Sequence, residues 1–162
     1  MKLVDRRDDR WHEVPADVCM VAVPFAEWQL LGPAQWRTVR GTWPKAMPVG
    51  LAVDNDVDVE DFAGDLDRFA LVALRFPKWT DGRAYSQARM LRVRFGFEGE
   101  VRATGDVVAD MMPLLARTGF DAALLRADQS PATAQRALGF FPQGHYQGDV
   151  LEPKPHFARA AP

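Results

Sequence analysis

The chain has 162 residues, 48% of them hydrophobic and 26% charged, and a formal net charge of −2. That is the composition of one globular domain, and a chain of this size buries roughly two thirds of its unfolded surface without covalent staples. The slightly acidic balance excludes a general nucleic-acid binder, which presents a basic domain, and a single cysteine, Cys19, excludes an internal disulfide or a cluster needing about four thiolates.

The start, MKLVDRRDDRWHEV, has basic residues but no apolar centre, so it lacks signal-peptide character. Residues 1–12 and 151–162 are expected to be mobile ends around a domain at 13–150. Val18–Val23 reads as a strand closed by Pro24, which makes Cys19 an inert buried thiol. Phe25–Val39 has helical spacing of Trp28, Leu31 and Trp36, broken in two by Gly32-Pro33. Val49–Val53 is the next strand, ending at the turn Asp54-Asn55-Asp56. A helix over Val59–Arg68 carries Phe62, Leu66 and Phe69 on one face.

Ala70–Arg75 is a continuous apolar strand of the kind buried on both faces in parallel sheets. A helix from about Gly82 to Phe95 follows, then a strand at Glu100–Thr104. A helix over Val107–Arg117 is stopped by Gly119, with Pro113 expected to kink it. Ala122–Arg126 is the last strand, followed by a short helix at Ala132–Leu138. Strands alternating with helices predict a single α/β domain with a mainly parallel sheet of four to five strands flanked by helices. An open sheet is favoured over a partial β/α barrel, because eight strands do not fit this length.

The longest apolar run, CMVAVPFA at 19–26, is far short of the roughly 18 residues of a membrane span. A soluble, cytoplasmic protein is therefore expected. Asp54, Asp56 and Asp58 begin like a calcium loop, but Val59 replaces the glycine such a loop needs, so a solvated acidic turn is the better reading. His12, His145 and His156 are scattered, and no metal site is expected. Neither a dinucleotide fingerprint nor a phosphate loop occurs, so the cofactor stays unknown.

The segment Arg75–Arg94 holds six Lys or Arg against one acid, a local charge of +5, which leaves −7 for the rest of the chain. Ligands of α/β proteins sit at the carboxyl ends of strands, and Arg75 ends a strand there. The loop that follows reaches Asp81, a candidate cap, and Gly82, which permits close approach. The candidate ligand-binding residues are Arg75, Lys78, Asp81, Gly82, Arg83, Ser86, Arg89 and Arg102, the guanidinium groups serving as an anion clamp. Asp81 and Asp106 are the candidate proton-transfer groups. Arginine neighbours would lower their pKa and weaken that role. Tyr85 is read as core, and Arg92 and Arg94 as equally consistent with a solvated surface.

The runs FPKWTDGRAYSQARMLR and GFEGEVRATGDVVADMMPLLARTGFDAALLRADQ resemble a bacterial family labelled as oxidoreductases involved in sulfite reduction. The resemblance spans about residues 48–147 and implies a role beside assimilatory sulfite reductase, in making sulfide for cysteine. It carries over Asp81, Gly82, Arg83, Tyr85, Ser86, Arg89, Arg102, Gly105 and Asp106 as candidates. This chain departs from the family at Trp79, where Phe is usual, at Ala84, where Gly is usual, and at Thr118, where Cys is usual. The last departure argues against obligatory thiol chemistry. Two functions are expected. One is an accessory of sulfite reduction that binds the reductase, its electron donor, its carboxylate-rich prosthetic group or sulfite itself. The other is a small α/β enzyme, possible oxidoreductases included, acting on an anionic metabolite.

Overall fold

The computed structural model describes residues 1–20, 24–141 and 149–150. Seven strands form one sheet, all parallel: β1 Lys2–Leu3, β2 His12–Glu13, β3 Gln29–Leu31, β4 Val49–Val53, β5 Phe69–Phe76, β6 Glu100–Gly105 and β7 Ala122–Ala123. Their spatial order is β1-β7-β6-β5-β4-β3-β2. From β2 to β7 each strand lies beside its predecessor, so every right-handed crossover places its helix on the same face. These crossovers are α1 (Pro33–Val39), a 3₁₀ segment (Val59–Arg68), α2 (Arg83–Arg89) continued by a π turn (Met90–Arg94), and α3 (Met112–Thr118); α4 (Pro131–Leu138) follows β7. With helices on one face only, the sheet covers its other face by curling, and the result is a half-barrel rather than the open sheet expected.

The helix-covered face is a conventional core. Leu31, Val49, Leu51, Val53, Val72, Leu74, Phe76, Val101 and Ala103 alternate along their strands and pack against Phe62, Ala88, Leu91 and Leu115. The concave face is built differently. A small apolar cluster of Leu30, Leu71 and Ala73 packs with Trp11 and Ala52 near its base. Gly50 is required there: a Cβ would stand 2.9 Å from the Trp11 ring and 2.7 Å from Leu30 Cδ1. Between Val49 and Gly50 the register to β5 slips from Phe69 to Leu71. This bulge turns Ala70 outward and keeps Leu71 inside.

The segment between β1 and β2 straps this concave face. β1 and β2 occupy opposite edges, six strand spacings or about 29 Å apart along the sheet. The nine residue-to-residue steps from Leu3 to His12 reach at most about 32 Å if fully extended, and a turn closed by Asp8 N–H on Asp5 C=O shortens them. The strap spans the gap because the sheet curls. On its way Asp9 meets Arg102, Trp11 covers Gly50, and Arg10 lies 3.5 Å over the Trp28 ring.

Several expectations need correction. Seven strands replace four or five, because four of them are only two or three residues long and have no readable period. Val18–Met20 is not strand, Val21–Val23 lies outside the described residues, and the strand of this region is Gln29–Leu31, inside the expected helix. Cys19 is accordingly exposed, not buried. Residues 2–3 and 12 belong to the sheet rather than lying outside the domain; 151–162 fall outside the described residues. The last strand is Ala122–Ala123 rather than Ala122–Arg126. Pro113 kinks nothing, since it sits in the first turn of α3, where no backbone N–H is required. Gly119 stops that helix at φ 102°.

Candidate functional site

The concave strand faces change character from base to rim. In register order the first layer is Glu13, Leu30, Gly50, Leu71 and Glu100, and the next includes Ala52, Ala73, Arg102 and Ala122. Above these stand Arg75 and Thr104, at the carboxyl ends of β5 and β6. The small residues leave a cleft of ≈ 350 Å³ at this carboxyl edge, bounded by Arg6, Asp9, Trp11, Arg75, Arg102 and Thr104 among others.

Arg102 is fixed. Only 5% of its side chain is exposed, Nη1 donates to Asp9 at 2.6 Å and Nε to Glu100 at 2.6 Å. Arg75 is looser. One terminal nitrogen donates to Glu13, and the other lies 3.2 Å from Asp54, with all three side chains 41–59% exposed. Ion pairs at such exposure contribute about 0–1 kcal/mol and exchange readily. Arg6, also on the cleft wall, has no ion-pair partner among the described residues.

On the rim, Asp106 follows Gly105, whose φ of 88° places backbone against Phe76. Asp106 Oδ2 accepts from Trp79 N–H at 2.9 Å, and Oδ1 accepts from Arg126 at 2.6 Å. Those two bonds, the backbone one first, hold the Asp106 carboxyl below its ordinary range. Arg126 also grips Asp128 through two nitrogens, which raises the guanidinium pKa and lowers that of Asp128 to about 2. Asp81 is held lower still by the Arg83 side chain, at 2.7 and 3.1 Å, while also accepting from the Arg83 N–H. Neither Asp81 nor Asp106 therefore holds a proton near neutrality. Tyr85 lies against Phe76 and Phe120, and burial pushes its hydroxyl up to about 12.

The candidates are thus divided. Arg75 and Arg102 share the cleft. Lys78, Asp81, Gly82 and Arg83 form the rim loop after β5, with Asp106 on the adjoining loop. Arg83 turns back on Asp81 rather than outward. Ser86 is exposed on α2, and Arg89 pairs with Asp149, which also takes Arg117 of α3 at 3.1 Å. Of the three residues expected to converge on an anion, Arg83, Ser86 and Arg89, both arginines are engaged by carboxylates of the chain. Arg92 is structural: it donates to the carbonyls of Gly119, Phe97 and Gly99 and to Asp121. Arg94 pairs with Glu60 of the preceding acidic segment. Arg6, Asp9, Trp11 and Glu13 were missed. The alternation Trp11-His12-Glu13-Val14 is the one sequence cue to the strand that carries Glu13.

A family described as bacterial protein of unknown function (DUF934) matches residues 50–157. The chain belongs to this family. The match runs from Gly50 of β4 through β7, and takes in Arg75, Arg102, Thr104 and Asp106, whereas the strap residues precede it. A search of the curated proteins found no match. Among the described residues no helix is long and apolar enough to cross a membrane, and no group of His, Cys, Asp and Glu is arranged to hold a metal ion.

Proposed function

We propose that this protein is an accessory component of assimilatory sulfite reduction that binds an anion at the carboxyl-edge cleft. That anion is either a small ligand or an acidic group of its partner, sulfite reductase or the reductase's electron donor. Arg75 carries this reading: a guanidinium at the end of a central strand opens into a cleft, and its carboxylate partners are half-exposed and displaceable. The pathway comes from the sequence resemblance, and the cleft supplies the binding chemistry. A small acid–base enzyme fits less well, because Asp81 is held ionised by Arg83 and Asp106 by the Trp79 amide and Arg126, and efficient proton transfer needs a pKa near the working pH.

Two measurements test the reading. Deleting the gene should impair growth on sulfate or sulfite, and cysteine should restore it; unimpaired growth without cysteine sinks the pathway assignment. In calorimetry, sulfite reductase or its electron donor should bind the wild type about tenfold more tightly than Arg75→Ala, the usual loss when a charge-assisted contact worth about 1.4 kcal/mol is removed.

A further inference from the structure

The cleft behind Arg75 is one of three depressions in a row along the carboxyl edge. The central one shares Arg6 and Leu124 with a more apolar cleft beside β1 and β7, and shares Glu13 and Arg75 with a smaller one beside β3 and β4. The Arg75–Glu13 ion pair is therefore a bar across a longer groove, and Arg6 is a second cationic crossing of it. Each terminal nitrogen of Arg75 already faces a carboxylate, Glu13 on one side and Asp54 on the other. Such carboxylates, tethered to the same fold, compete at an effective concentration in the millimolar range or above. A simple monoanion offers Arg75 nothing that Glu13 does not already give it. A ligand with a second negative group can gain Arg6 as well, whose guanidinium has no ion-pair partner among the described residues.

We propose that Glu13 is a specificity-determining residue of this site: it stands in for the ligand on Arg75, excludes monoanions, and yields to a molecule with at least two separated oxyanion groups that reach both Arg75 and Arg6. This rests on the anion-site reading above and adds the ligand class and the residue that selects it. Glu13 is 53% exposed, so its carboxylate is rehydrated when displaced, and the exchange opens the groove between the central and β3-side clefts.

Calorimetric titration with citrate and with acetate separates the possibilities, using wild type, Glu13→Gln, Arg6→Ala and Arg75→Ala, each checked by thermal unfolding. The wild type should bind citrate but not acetate. Glu13→Gln should tighten citrate by about fivefold, the size of a released exposed ion pair, and make acetate binding measurable. Arg6→Ala should weaken citrate while leaving acetate binding to the Glu13→Gln background unchanged. Arg75-dependent citrate binding that Glu13→Gln leaves unaltered overturns the role of Glu13 alone. Acetate binding to wild type as tightly as citrate does the same. Citrate binding that survives Arg75→Ala, or no binding of either anion by any variant, overturns the anion site and the inference with it. If Glu13→Gln fails to fold, Glu13→Ala releases the same nitrogen of Arg75 and is read in the same way.

Discussion

Arg75 and Arg102 stand on neighbouring strands of the same concave face, yet burial gives them opposite roles. Arg102 is closed in with Asp9 and Glu100, so removing its charge leaves two carboxylates in a partly dry site. Breaking a buried pair in this way costs several kcal/mol. Because Asp9 and Glu100 retain some solvent, we expect about 2–3 kcal/mol for Arg102→Met in urea unfolding; a loss under about 0.5 kcal/mol would place the pair with ordinary surface contacts. At the rim, the lowered pKa values set an acid dependence. A folded-state pKa below the unfolded one contributes stability above the ordinary value of 3.8, and that contribution fades as pH falls through the folded value. For Asp128 the window runs from 3.8 down to about 2. The backbone amide of Trp79, which donates to Asp106, should report that protonation by NMR, with a midpoint below 3.8. A midpoint at or above 3.8 would contradict the bonds described.

At the level of elements, β4 illustrates how a strand is tuned for two unlike faces. Its helix-facing residues are Val49, Leu51 and Val53, whereas its concave residues are Gly50 and Ala52. Gly50 yields its side-chain space to Trp11 of the strap and to Leu30. Gly50→Ala should destabilise by about 1–3 kcal/mol through overpacking. Combined with Leu30→Ala, which removes the nearest atom, it should cost less than the sum of the two single changes. Strict additivity of the two changes would mean that Gly50 is not held small by this contact. The same element scale explains the limits of pattern reading. The boundaries of β4 and of the segment Val59–Arg68 follow directly from periodicity and punctuation, although the latter is 3₁₀ rather than α-helical. The two- and three-residue strands β1, β2, β3 and β7 do not, because pairing with a neighbour defines them and no local period can.

For the whole molecule, the strap decides whether the curled sheet has an interior. It supplies β1 at one edge, β2 at the other, and Asp9 and Trp11 between them. Removing residues 1–11 should therefore lower the urea midpoint well beyond the loss of a frayed end and expose the concave face to proteolysis. An unaltered midpoint would return this segment to a dispensable terminus. Part of the candidate site is legible for a clear reason. Arg75 ends a long, strongly apolar strand, and strand ends are where parallel sheets bind ligands. Its partners Glu13 and Asp54 and its neighbour Arg6 come from two other stretches of chain, the N-terminal strap with β2 and the turn after β4, and only the sheet order brings them together. Alternating strands and helices, the parallel sheet and the cationic strand end were determined locally, by side-chain period, by glycine and proline, and by charge. The tertiary structure decided the curl, the closure of the concave face by the strap, and which arginines are occupied. Those depend on contacts between residues as far apart as Asp9 and Arg102, and a carboxylate that arrives from so distant a place leaves no trace in the sequence around the arginine it neutralises.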